Sequence, residues 1–186
     1  MVIPEQTRMM TRAEFEAFAD RPENVDRLLE RINGEIIEKV PKQLHALVSA
    51  LLTIALGIYL RDNPIAWIFS EVRVSPPQDD LNDRIPDIAI VLKEGRTFDP
   101  DAPLSYMPDL AIEVQSPSQS DKFMADKAQY YLANGARMVW LVYPSKRLVE
   151  VLTLDDRKLL TEAERLDTGN ILPGFSLLIK DIFPQE

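Results

Sequence analysis

The sequence predicts a mixed β-sheet flanked by helices, of α/β or α+β class. Three observations carry this expectation. Residues 85–92 and 109–115 form strand-like runs that are apolar on both faces, the pattern of central strands covered on both sides. Residues 43–60 and 118–134 have the length and periodicity of helices. Neighbouring strands are joined both by hairpin turns and by a helical crossover, so the sheet is neither all-parallel nor all-antiparallel.

The elements follow in order. Residues 11–19 form a short helix, with Thr11 as its cap and Glu14 three positions on, the spacing of a capping box. Residues 26–40 form a hairpin around Asn33-Gly34, a strong two-residue turn signal. The helix of residues 43–60 is stopped by Asn63-Pro64. A strand over 65–74 leads into the polar loop 76–82; the acidic stretch 78–83 lacks the spacing of a calcium-binding loop and is expected to be a solvated turn. After the strand that follows Pro86 comes a long loop over 93–108, then a strand over 109–114. Ser118 and Asp121 resemble the start of a helix that runs to Asn134 and stops at Gly135. Residues 138–142 and 148–154 are strands joined at Pro144-Ser145, and the tail from Lys158 to Phe183 holds short strands, including 176–179.

Composition narrows the possibilities. A length of 186 residues fits one domain over 1–186 with a sizeable core, and 46% hydrophobic content is ordinary for a globular chain. No run approaches eighteen consecutive apolar residues, so no membrane span is expected. The polar, acidic residues 1–20 do not resemble a signal peptide. With no cysteine, the chain has no disulfide, zinc–thiolate site or cysteine nucleophile, which fits a reducing, cytoplasmic location. The formal net charge of −9 argues against a dedicated nucleic-acid-binding protein, although an enzyme can meet DNA through a local basic strip and bound metal ions.

The informative feature is acid inside the two apolar strands. Asp87 and Glu113 occupy positions where an ionised carboxylate is costly unless paired, and two of them repel unless a cation lies between. Alternation puts Asp109, Ala111, Glu113 and Gln115 on one face, and Asp87 with Ala89 and Val91. The alanines imply a helix packed closely over that face. Asp109 lies roughly 13 Å along the strand from Glu113, so Glu113 must find its partner on another strand, and Asp87 is the best candidate. Two carboxylates and a backbone carbonyl near Val114 or Gln115 suit Mg²⁺. On spacing alone, a turn cap at Asp87 and a lysine partner for Glu113 explain the pattern as well. Lys127 adds weight: on a helical wheel it falls with Phe123, Met124, Ala128, Tyr131 and Leu132 on the apolar arc, where a lysine needs an acidic partner such as Glu113.

These residues resemble a known family. Pro86-Asp87 followed by Glu113-Val114-Gln115 looks like the bipartite signature of the PD-(D/E)XK nucleases. More narrowly, residues 30–35, the helix opening at His45, Pro86-Asp87, residues 113–118, Lys127 to Tyr131, Gly135 and residues 140–144 resemble the Uma-two family of proposed restriction endonucleases, over roughly residues 10–155. The resemblance implies a restriction-endonuclease-like core over about residues 42–145, with an N-terminal hairpin added. It implies Asp87 and Glu113 as ligands of Mg²⁺ or Mn²⁺, with Gln115 standing where the superfamily's lysine usually falls and Lys127 supplying that lysine from the following helix. It also implies possible site-lining roles for His45, Glu35 and Glu30. A second departure is the run 119–123, which holds one basic residue where the family often has several.

The function expected is metal-dependent hydrolysis of DNA phosphodiester bonds, with DNA as partner and a homodimer as the arrangement suited to cutting two strands. In it Lys127 orients the attacking water or stabilises the transition state, and Gln115 hydrogen-bonds water or ligand. The competing expectations are a non-catalytic binding module of the same fold, favoured by Gln115, the thinned basic run and the net charge, and a hydrolase for a small phosphorylated substrate. Trp67, Trp140, Tyr130 and Tyr131 are expected in the core, and Ser116 and Ser118 as caps.

Overall fold

Alternation along the central strands divides the core in two. The computed structural model describes residues 9–184, so the expectation for the start of the chain lies partly outside them. Among these residues the main sheet has six strands in the order β3 (Ala66–Ser70), β4 (Ile88–Leu92), β5 (Leu110–Val114), β6 (Met138–Tyr143), β7 (Leu148–Leu152) and β8 (Arg157–Thr161). Only β5 and β6 run parallel, joined by the crossover helix α3 (Asp121–Ala133); the remaining neighbours are antiparallel. This is the mixed, helix-flanked sheet the sequence predicts.

Ile88, Ile90, Leu110, Ile112 and Val114 face α2 (Gln43–Asp62), which contributes Val48, Leu52, Leu56 and Leu60. On the opposite face, Val91, Ala111, Val139 and Leu141 meet Met124, Ala128 and Tyr131 of α3. Ala89 and Ala111, cross-strand partners, leave room for α3 to approach. By length and composition α2 meets the requirement for a membrane span although no uninterrupted apolar run foretold one; its inner face is committed to the sheet.

The hairpin β1 (Leu29–Ile32) and β2 (Glu35–Glu38) turns at Asn33 and Gly34, both at positive φ, as the Asn-Gly signal requires. Arg31 docks it on the body. Its backbone pairs in both directions with Asp83, and its guanidinium meets the Asp83 carboxylate at 2.7 Å. Asn82 and Asp83 are therefore buried, which corrects the expectation of a solvated turn for the end of this loop.

Thr11 caps α1 (Arg12–Ala19) in a full capping box with Glu14. The start of α3 differs from expectation: Ser120, not Ser118, caps it, accepting from the Phe123 N–H at 3.1 Å. The reason is a tight turn over 116–119, in which the Gln119 N–H bonds the Ser116 carbonyl at 2.9 Å and the Gln119 side chain takes the Ser116 N–H. The tail supplies β8 to the main sheet, and a separate pair, β9 (Arg165–Asp167) with β10 (Ser176–Leu178), on the α2 side.

The two faces of α2 predict unequal sensitivity. Leu56→Ala, in the core, should cost about 2–5 kcal/mol. Ile54→Ala, on the outer face at 57% exposure, should change stability by no more than about 0.5 kcal/mol. Urea unfolding of the two variants checks this.

Candidate functional site

Extending the antiparallel register of β4 and β5 by one step from the Ile88–Ile112 pair sets Asp87 directly opposite Glu113. Side chains so placed have Cβ atoms about 4.5–5.5 Å apart. The two acids therefore share one end of the sheet, as the sequence expectation requires.

A third acid joins them. Because Arg31 is anchored to Asp83, alternation turns its neighbour Glu30 to the other face of the hairpin, toward the sheet. Glu30 is fully buried and accepts the Ile85 N–H at 2.9 Å. Two lysines partner the trio, so each acid has an ammonium beside it although two positive charges face three carboxyls. Lys127 Nζ lies 2.8 Å from Glu113 and 3.2 Å from Glu30. Lys39, just beyond β2, lies 2.5 Å from Asp87 and donates to the Ile85 carbonyl at 2.8 Å. The Glu113 carboxylate also accepts the Tyr131 hydroxyl at 2.7 Å. Asp87 is held further by the Val114 N–H at 2.7 Å and by His45 Nε2 at 3.0 Å, from the first turn of α2.

These neighbours act differently on the two central acids. Burial works against the charge of Asp87, but Lys39 and His45, with Lys127 behind them, outweigh it and hold the carboxyl well below its usual range. For Glu113 burial dominates: Lys127 and Lys39 oppose it, Asp87 and Glu30 add repulsion, and the balance lies above the usual value. One acid is thus firmly ionised while the other takes up a proton more readily.

The cluster sits at the wall of a cleft of about 570 Å³. The cleft lining includes Glu30, Lys39, Lys42, His45, Asp87 and Val114, together with Ser116, Ser118, Ser120 and Phe123. The N-terminal ends of α2 and α3 both border it. Lys42 occupies the cap position of α2 without a side-chain cap.

The model of the family "Uma2: Putative restriction endonuclease" matches residues 13–180 of this chain. The chain belongs to the Uma2 family. Its fold is similar to that of a crystal structure described as a putative nuclease belonging to DUF820 from Anabaena variabilis, with a TM-score of 0.78 and 22% identity, over 94% of this chain and 97% of that one. No curated protein matches the chain.

The Uma2 chain brings together Asp87, Glu113, Lys127, His45 and Glu30 out of the residues singled out from sequence. It does not bring Gln115, whose side-chain amide donates to the Gln119 carbonyl and to Asp121 at 3.1 and 3.0 Å. The next residues turn sharply into α3, and they capture the amide before it reaches the acids. Glu35 is exposed at the hairpin tip, away from the cluster. Lys39 and Tyr131 are the residues sequence reasoning missed. A signal for Lys39 existed: Glu30 pairs with Ile37, and Lys39, two residues on, shares their face.

Among the described residues no three His, Asp or Glu side chains form a ready cage for a metal. Asp87 and Glu113 still fit a hard cation of the Mg²⁺ kind, which takes one or two carboxylates and fills its remaining positions with water and phosphate oxygens.

Two outcomes follow. Lys127→Ala leaves Glu113 and Glu30 facing each other without their shared cation, both buried; unfolding should become easier by about 3–5 kcal/mol. The Asp87 carboxyl is depressed in the folded state, so its stabilisation is complete above the usual carboxylate pKa near ~4 and is lost as pH falls through the lower folded value. Asp87→Asn should therefore be less stable than the natural protein at pH 6, with the gap shrinking below pH 4 in denaturant unfolding.

Proposed function

We propose that this Uma2 protein is a divalent-metal-dependent endonuclease that hydrolyses DNA phosphodiester bonds, with Asp87 and Glu113 as the ligands of Mg²⁺ or Mn²⁺. The observation that carries the reading is the juxtaposition of Asp87 and Glu113 on adjacent strands beside an open cleft, with Lys127 against Glu113.

When bound, the ion supplies an acidified water and neutralises charge on the phosphate. The chain's own residues prepare for this. His45 and the Val114 N–H fix the Asp87 carboxylate. Tyr131 and Lys127 fix that of Glu113. Lys127 is buried between two acids, so in this reading it positions Glu113 rather than touching substrate. Lys42, the three serines and the two helix N-termini give the cleft wall a set of donors for phosphate oxygens, which supports an anionic substrate despite the net charge of −9. The family description supports DNA as that substrate. A homodimer, with two sites related by a twofold axis, belongs to the same proposal.

A second reading, a nuclease fold that binds without cutting, is favoured by one observation: each of the three acids already contacts an ammonium group, so none of them depends on a metal for a partner of opposite charge.

Nicking of supercoiled plasmid in Mg²⁺ and Mn²⁺ tests the proposal. The natural protein should nick only with metal, and Asp87→Ala and Glu113→Ala should each lose about 100-fold or more while keeping the natural circular-dichroism spectrum. Equal nicking by all three proteins, or none by the natural one, would move the assignment to the binding reading.

A further inference from the structure

Lys39 is the cation nearest the open side of the acid cluster. Its ammonium contacts a carboxylate oxygen of Asp87 and the backbone carbonyl of Ile85, the same two oxygen types a hard divalent cation uses. Lys39, Asp87 and Glu30 line the cleft, whereas Glu113 does not. Burial pushes the Lys39 ammonium down, but attraction to Glu113, then Asp87 and Glu30, outweighs it and holds the group above its ordinary value, so its charge is felt by all three acids. Lys127 differs: it is held from the α3 side by two buried acids and Glu113 also has Tyr131. Lys39 follows the last residue of β2 and itself lines the cleft of about 570 Å³, which offers its long side chain space away from Asp87.

We infer that Lys39 is a displaceable resident cation: it pairs with Asp87 in the metal-free protein and must leave it before a divalent ion reaches Asp87 and Glu113 together. Once released, its ammonium remains in the cleft, where it adds a cation for a substrate phosphate. The inference rests on the metal-dependent reading above and deepens it, since metal and lysine compete for the same acid.

Calorimetric titration with Mn²⁺ and no DNA tests it on the natural protein, Lys39→Met and Lys39→Arg. Lys39→Met should bind Mn²⁺ about tenfold more tightly, within the usual range for coupled equilibria, and Lys39→Arg, which keeps the charge, should stay close to the natural protein. On the natural protein itself, acylation of Lys39 followed by mass spectrometry should speed up when Mn²⁺ is added. This second measurement decides the matter if Lys39→Met fails to fold. Mn²⁺ binding by the natural protein with no gain in Lys39→Met, or with Lys39 acylation unchanged by metal, would overturn the inference and leave the nuclease reading intact. Absence of Mn²⁺ binding by the natural protein and Lys39→Met alike would overturn both.

Discussion

Three carboxylates buried at one end of a sheet impose the constraint around which this protein is arranged. Glu30, Asp87 and Glu113 are each almost inaccessible to solvent, and an ionised carboxylate in such a place needs a partner of opposite charge. The partners come from two further elements: Lys39 from beyond the hairpin and Lys127 from the crossover helix. Hairpin, sheet, α2 and α3 are therefore tied through side chains far apart in the chain. The hairpin's register is part of this. A slip of one residue would turn Arg31 toward the acids and Glu30 toward Asp83, breaking both buried pairings at once.

Such a cluster is not the most stable way to fill the space. Replacing buried ion pairs with well-packed apolar side chains is often neutral or stabilising. The sheet around the cluster shows that this chain packs apolar side chains well where it has them, as in the layers beneath α2 and α3. This buried charge lies beside a cleft of about 570 Å³, and the proposed metal-dependent chemistry gives a reason for keeping it there. The same neighbours pull the two central acids apart, Asp87 down and Glu113 up, so two carboxyl groups on adjacent strands hold their protons differently.

Much of this was legible in the sequence because it rests on alternation and local signals. The doubly apolar strands, the Asn-Gly hairpin, the capping box at Thr11 and the apolar arc containing Lys127 are all local patterns, and each forms as expected, in the six-stranded sheet, the separate hairpin, α1 and α3 respectively. The likeness of Asp87 and Glu113 to one face of adjacent strands followed from side-chain parity. What escaped was set by chain reversals. Gln115 alternates onto the acid face, but the turn at Ser116 to Gln119 draws its amide away. Lys39 lies past the last paired residue of β2, where parity continues but no strand signal marks it. Asp83 looked solvated because its partner, Arg31, stands 52 residues earlier.

The proposed divalent-metal site at Asp87 and Glu113, guarded by lysine, would be visible in a crystal structure of the protein soaked in Mn²⁺, with anomalous diffraction used to locate the ion. The expected result is an anomalous peak bound to oxygens of both Asp87 and Glu113, at about 2.1 Å as for a small hard cation, with the Lys39 ammonium withdrawn from Asp87. An empty cluster in which Lys39 still grips Asp87, or a manganese ion bound elsewhere on the chain, would rule that site out.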